Sequence, residues 1–487
     1  MTKEKSILKN VIYKTLLNVF NIIVPIIIGP YAYRIMGPNL IGRISYAESI
    51  YTYFLIFASF GIYNYGLREI SRIRNDKSQV SSLFSSLFVI SVAANLIVTL
   101  CYFIFVFFNF KGTPLFPVLI LYGINLVLNV FYIEWLFEAN ESYNFIAIKT
   151  MVIRIIYIIL LFTLVRTYED FLIYVSLNTL LFLLNYIVSF IYIKRSVKFN
   201  FSNLQIKSHV KSLLIVLVMS NANILYVQLD KIMLGSYLSE KYVGYYFTSQ
   251  LITNIINALL LSIIYVTIPR LSHVIANESQ KAYEKLLGQI CKGYFAFLFP
   301  AAIGMFLLSK EIILLYGGVE FSPAIGILKI FSIFMIVAGI EFIFTNQIFY
   351  VKKKEKFSVV LIGCGGLLNL LIKYILVVFN MLNPYTAIAT TTFSYSCLIV
   401  VEYIIIRRKL KVDLNLLSIK NMKYLIISFL FIPIVYCIKY LISNLILIAL
   451  LSVIGCGVVY LVVLLLLRDE LVFSLLTRFN IIKSNNS

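Results

Sequence analysis

Several ionisable side chains stand inside stretches that are otherwise apolar: Arg34, Glu48, Arg154, Asp230, Lys231, Glu341 and Lys373. A charge in hydrocarbon is costly, so such residues face a partner, a cavity or a ligand path. The chemistry open to them is the holding of charge rather than the making of bonds. Arg34 and Lys231 each have a second reading, snorkelling to an interface. Glu48 could equally pair with a base such as Arg34. Asp230 adjoins Lys231, and consecutive helical residues point apart, so the two need different partners. Lys149 reads as an anchor at a helix end, Arg154 lies deeper, and Glu134 and Glu138 read as solvated. Glu402 and Lys329 sit near span ends and are expected to snorkel or pair.

Catalytic readings find little support. The two histidines, His209 and His273, lie near loops, so none is available as a base within a span. No glycine loop suited to cradling phosphate is present. Gly363-Cys364-Gly365-Gly366 lies in an apolar helix, where close helix packing is the expected role. The six cysteines fall in apolar runs without metal spacing and read as small packing residues. Neither an enzyme nor a cofactor is expected, and no metal site.

The elements that must position these charges form a repeat. Arg34-Ile35-Met36 matches Lys231-Ile232-Met233, and Ile41-Gly42 matches Val243-Gly244 about 200 residues apart; Ile70-Ser71 matches Leu271-Ser272. A further echo aligns Trp135-Leu136-Phe137 with Gln347-Ile348-Phe349, and Phe145 with Phe357. The chain has 487 residues, 61% of them hydrophobic, and a mean hydropathy of +0.94. Runs of about 20 apolar residues, enough to span a bilayer, recur throughout. Fourteen are expected: 10–36, 44–66, 80–108, 115–139, 144–165, 169–194, 208–236, 241–268, 286–308, 322–350, 357–379, 384–406, 422–442 and 445–467. Proline removes a backbone donor, so kinks are expected at Pro25 and Pro30, at Pro300 and at Pro433. The first run is too long for a cleavable signal.

The net charge of +21 does not call for nucleic acid. Of 42 Lys and Arg, 29 fall in the termini and alternate loops, against 7 on the opposite side. That bias sets orientation and predicts cytoplasmic termini. Six helices separate the two repeat starts, an even number, so both copies have one orientation and the repeat is parallel. The expected fold is an all-α polytopic membrane protein of about 14 helices, with two six-helix lobes and two C-terminal helices. Its parts are lobe 1–194, linker 195–207, lobe 208–410, and helices 13–14 with a tail in 411–487. Linker and tail mix bases with apolar residues and are expected to lie on the cytoplasmic face.

Pro30-Tyr31-Ala32-Tyr33-Arg34-Ile35-Met36-Gly37-Pro38-Asn39-Leu40-Ile41-Gly42 resembles the helix 1–2 signature of the Wzx-type oligosaccharide flippases, in the polysaccharide transporter branch of the MOP (MATE-like) superfamily. Gly66-Leu67-Arg68-Glu69-Ile70-Ser71-Arg72 resembles their second loop motif. Asp230-Lys231-Ile232-Met233-Leu234-Gly235 resembles the start of their second half. The resemblance implies alternating access between two lobes of a protein of the bacterial cytoplasmic membrane. It implies a polyprenyl-diphosphate-linked oligosaccharide as substrate, carried to the outer leaflet for capsule, exopolysaccharide or O-antigen assembly. Membrane lipids, a polysaccharide polymerase and assembly proteins would be its partners. A diphosphate cannot cross hydrocarbon unaided, and Arg34, Arg154, Lys231 and Lys373 would hold it, with Glu48, Asp230 and Glu341 as counter-charges. The alternatives are a small-molecule antiporter on the same fold and a membrane glycan polymerase or acyltransferase.

The resemblance extends to energy coupling. The related lipid II flippases build a sodium site from an acid on helix 7, an Asn and an Asp one turn apart on helix 11, and a Thr on helix 12. The matching positions here are Asp230, Asn369 and Thr390 to Thr392, but Lys373 stands where the second acid would be. An ammonium there implies an Asp230–Lys373 ion pair in place of bound sodium.

Overall fold

The computed structural model describes residues 2–194, 197–202, 204–415 and 418–473. Among them there is no strand. The helices are α1 (Thr2–Ser59), α2 (Ile62–Ile73), α3 (Lys77–Phe110), α4 (Phe116–Leu128), α5 (Glu134–Ala139), α6 (Tyr143–Leu164), α7 (Phe171–Ile193), α8 (Ile206–Tyr237), α9 (Glu240–Asn277), α10 (Gln280–Leu307), α11 (Ser309–Gly317), α12 (Ala324–Ile343), α13 (Glu355–Val378), α14 (Pro384–Arg408), α15 (Ile419–Ser428), α16 (Phe431–Leu441) and α17 (Leu445–Leu466). Twelve helical stretches among the described residues are long and apolar enough to cross a membrane, and the first, Ile12–Ile73, holds two of the expected runs. α8, with 32 residues, occupies the expected seventh run. The chain is a multi-pass membrane protein. Large apolar side chains such as Leu96, Leu100 and Phe108 of α3 stand exposed, as a lipid-facing surface requires.

Backbone chemistry explains where the helices break. The expected kink at Pro25 and Pro30 is not where α1 leaves helical geometry. The one non-helical residue in α1 is Gly37, at φ 65° and ψ 174°. Glycine has no Cβ to clash at positive φ, so it takes the turn that the prolines leave to it. The expected kink at Pro433 is a break upstream: α15 ends at Ser428, and Pro433 sits in the first turn of α16, where its missing N–H costs nothing. α3 begins at Asp76, whose carboxylate accepts from the amides of Ser78 and Gln79. The Gln79 amide holds that carboxyl below the usual carboxylate range.

The chain divides into two compact units, Met1–Phe247 and Thr248–Ser487. In the first, α1 packs against α3, α4, α6 and α8. The helix that opens the second repeat therefore belongs to the first compact unit, and compactness and repeat divide the chain at different places. Within the linker, Phe199 lies on Phe84 and Phe88, and the amide of Asn200 donates to Ser85 Oγ at 2.7 Å. In the second unit, α12 packs against α10 and α14, α13 against α14, and α16 against α17. The tail expected on the cytoplasmic face lies, after residue 473, outside the described residues.

Both repeat copies depart from α-helical geometry close to their echoed residues. In the first unit, α4 passes into a 3₁₀ turn at Asn129–Phe131 before α5. In the second, α12 runs into a π-helical turn at Phe344–Tyr350. Of the echoed residues, Trp135-Leu136-Phe137 lies in α5, just after the 3₁₀ turn, and Gln347-Ile348-Phe349 lies inside the π-helical turn. Trp135 is buried against Gly66, where an added Cβ would meet its ring at 2.7 Å. Gln347 is buried too, its amide donating to the Ile264 carbonyl at 2.7 Å. Gly363, expected to serve close packing, has nothing within 4 Å of an added Cβ, and Gly365 makes only ordinary contact with Leu398. The stretch meets α14 at Gly365, where an added Cβ would lie 3.8 Å from the Leu398 Cβ.

Candidate substrate site

A cavity of about 400 Å³ opens in the first unit at the end of α1 that carries the chain's N-terminus. Four segments build it: the early turns of α1, the unwound stretch before α5, α6 and α7. Lys14, Asn18 and Asn21 come from α1, Lys149 and Arg154 from α6, and Asn185, Tyr186 and Ser189 from α7. The unwinding at Asn129–Phe131 brings Tyr132, Glu134 and Glu138 to the same wall. Glu134 opens α5, where a carboxylate meets the positive end of the helix dipole.

The charges in this cavity are held in place. Lys149 Nζ donates to Glu134 Oε1 at 2.8 Å and to Ser189 Oγ at 2.9 Å, with its side chain 4% exposed. The expected helix-end anchor is thus a buried pair, and Glu134, expected in solvent, is its other half. Glu138 accepts from Tyr63 Oη at 2.8 Å. Arg154 is half-buried within reach of the charge of Glu134, and among the described residues Asn21 Oδ1 is buried without a hydrogen-bond partner. Aromatic rings complete the wall: Tyr132 lies 5.3 Å from Tyr186 and stacks on Tyr63 at 6.0 Å. The cavity therefore offers a guanidinium, amide groups and aromatic faces in one place.

The repeat signature builds a seam elsewhere in the same unit. Gly42 and Gly244, equivalent by the repeat, lie against each other. A Cβ on Gly42 would come within 1.7 Å of the Glu240 carbonyl oxygen, and one on Gly244 within 2.0 Å of the Pro38 carbonyl oxygen. Arg43 Nε donates to Glu240 Oε2 at 2.7 Å, and Tyr46 Oη is hydrogen-bonded to Ser236 Oγ at 2.8 Å. Asp230 is buried and accepts from Tyr246 Oη. Lys231 is 3% exposed and lies over the Phe247 ring at 5.1 Å, within reach of the charge of Glu48. Arg34, its equivalent in the first copy, is exposed. The two sequence-equivalent cations thus differ in burial.

In the second unit, Lys373 is fully buried and donates to Thr391 Oγ1 at 2.9 Å. Asn369 Nδ2 donates to the same oxygen at 3.3 Å. The resemblance-aligned Asn369, Lys373 and Thr391 are thus neighbours. Asp230 lies in the first unit and Lys373 in the second. Glu341 is buried and accepts from Thr345 Oγ1 at 2.5 Å, and Thr345 is hydrogen-bonded to Ser358 Oγ at 2.8 Å. Glu402, expected to snorkel or pair, is 0% exposed, and among the described residues neither of its oxygens has a hydrogen-bond partner. Its position explains this: the facing side of α12 brings Phe344 to Tyr403 and another acid, Glu341, rather than a base.

These features define a multi-pass helical membrane protein with a polar, cation-bearing cavity in one unit. Residues 7–275 match the family described as "Polysaccharide biosynthesis protein", and the chain belongs to that family. The chain is similar to the lipid II flippase MurJ in an inward closed conformation, at a TM-score of 0.71 and 14% identity, covering 97% of this chain and 100% of that one. It is similar to an inward-facing multidrug resistance MATE family transporter of the MOP superfamily, at a TM-score of 0.62 and 13% identity over 82% of this chain and 94% of that one. At these identities both likenesses concern the fold. A curated protein of Escherichia coli (strain K12), described as "Putative O-antigen transporter", is 26% identical over 176 residues, 35% of this chain and 41% of that protein's length.

Proposed function

We propose that this protein is a flippase for lipid-linked oligosaccharide, moving polyprenyl-diphosphate-linked repeat units from the cytoplasmic to the outer leaflet of the bacterial cytoplasmic membrane. The observation that carries this reading is the cavity of the first unit. A guanidinium suits a diphosphate, which it can bind with two parallel bonds. Tyr132 and Tyr186 offer flat faces to sugar rings, and Asn18, Asn21 and Asn185 offer hydrogen bonds to hydroxyls. Family membership and the described relative support a polysaccharide pathway. The basic loops support cytoplasmic termini, so that the cavity opens toward the side where repeat units are made.

The coupling is proposed to be independent of sodium. Sodium needs oxygen ligands, and Lys373 supplies an ammonium beside Asn369 and Thr391. Replacing sodium by potassium or choline is expected to leave export unchanged; a strict sodium requirement defeats this part. The deciding experiment for the function is deletion of the gene. Loss of surface polysaccharide with accumulation of lipid-linked precursor on the cytoplasmic side is expected. Intact surface glycan with a defect in small-molecule efflux instead identifies an antiporter. Reporter fusions at Lys353 and Arg408 should read cytoplasmic and one at Asn383 external.

A further inference from the structure

We propose that Glu402 and Glu341 form a proton-binding site in the second unit, with the transferable proton on Glu402, and that loading and emptying it is coupled to transport. This rests on the flippase reading for its role, though not for its existence. α12 and α14 run side by side in one direction: Tyr385 Oη donates to the Pro323 carbonyl at 3.0 Å, Phe334 meets Tyr395 at 5.2 Å, and Phe344 stacks on Tyr403 at 6.4 Å. The last two contacts bracket the level at which Glu341 and Glu402 stand, and the charge of Glu341 reaches Glu402.

The two acids differ in what holds them. Glu341 accepts from Thr345, which is fixed in turn by Ser358. Glu402 is fully buried with both oxygens unpartnered. An ionised carboxylate without a donor in an apolar interior costs several kcal/mol, about what the neutral acid avoids. Two carboxylates in one site cannot both ionise cheaply, so the pair takes up a proton. Among the described residues, the remaining titratable groups near this level do not supply a cation to Glu402. Lys373 on α13 is fixed to Thr391, three turns back along α14. Arg407 is engaged by Tyr403 and Asp413. Glu355 at the start of α13 is a third acid, and Tyr294 on α10 has a buried hydroxyl without a partner. A metal ion is disfavoured, because no group of three acid, His or Cys side chains suited to one exists among the described residues.

The setting gives the proton mechanical consequence. Glu341 lies three residues before the π-helical turn Phe344–Tyr350, and Thr345 is inside it. π turns are uncommon and recur at functional sites. Emptying the site would place two negative charges between α12 and α14, beside the π-helical turn that follows α12.

The test uses the full chain in lipid nanodiscs, followed by infrared difference spectra from acid through neutral to alkaline pH, with surface glycan measured in cells. Wild type is expected to keep the carbonyl band of a buried protonated carboxylic acid at neutral pH. Glu402→Gln should lose that band and lower surface glycan at least tenfold at wild-type membrane level. If Glu402→Gln does not fold, Glu341→Gln carries the test: its band should remain and be lost at a different pH from wild type. An unchanged band in Glu402→Gln, or an unchanged pH profile in Glu341→Gln, overturns the site. Band loss with wild-type glycan overturns the coupling. A band abolished by sodium at constant pH shows a metal-cation site and overturns the proton assignment. If gene deletion leaves surface glycan intact, the flippase reading fails while the infrared result still decides the site.

Discussion

The segment at 129–139 in the first unit and that at 341–350 in the second descend from one position of the repeat, and they have diverged in electrostatics. Both give up α geometry, one through a 3₁₀ turn and one through a π turn. Both bury the echoed residue, Trp135 or Gln347. Around the first, Glu134 is matched by Lys149 and the space beside them is an open cavity with Arg154 on its wall. Around the second, two acids share an apolar interior and one has no hydrogen bond. At the offset that aligns Trp135 with Gln347, Lys149 falls opposite Leu361 and Arg154 opposite Gly366. Both segments interrupt the α-helix, but their surroundings differ in charge: an ion pair and a guanidinium beside the first, two buried acids beside the second.

That comparison can be broken experimentally. Lys149→Ala leaves Glu134 without its ammonium, and losing one partner of a buried pair costs up to about 3 kcal/mol, less here because Glu134 is a quarter exposed. Thermal unfolding of the purified protein should show the loss. Stability unchanged would mean the first segment is no more paired than the second. Gly66→Ala pushes a Cβ into the rigid, buried Trp135 ring and should cost about 2 kcal/mol by overpacking. Gly339→Ala, in α12, meets the movable tip of Leu298 and should cost less; a reversed order would show that the second segment is the tighter one.

Arg154→Ala removes the half-buried guanidinium of the cavity. Export of surface glycan should fall roughly ten- to a hundred-fold at normal membrane level, the equivalent of about 1.5–3 kcal/mol for a hydrogen bond to a charged group. Arg154→Lys should recover part of it, since the charge returns without the fork. Wild-type export by Arg154→Ala would move the ligand away from this cavity, toward Lys231 or Arg34. The smallest effect is expected at Glu402→Met. Replacing an unpartnered buried acid by an apolar side chain of similar volume should leave stability within about 1 kcal/mol of wild type or raise it. A large loss would reveal a partner for Glu402 and cancel the contrast between the two segments.

The sequence by itself determined the membrane, the helices and the repeat, because each is written in local terms. Hydropathy over about 20 residues is a property of a window, and the match of Ile41-Gly42 to Val243-Gly244 needs no coordinates. It did not determine which charges meet. Glu134 and Lys149 lie 15 residues apart across a helix break, and nothing in their spacing distinguishes a solvated acid from half of a buried pair; only the 3₁₀ turn that swings α5 against α6 decides it. The difference in burial between Arg34 and Lys231 is likewise tertiary, since their sequence contexts match. Glu402 was legible as a charge near a helix end, where the rule is to reach for the interface. The packing of α12 on α14 encloses it instead, because Phe344 and Tyr403 close over its level, and burial is set by neighbours that the chain brings from elsewhere.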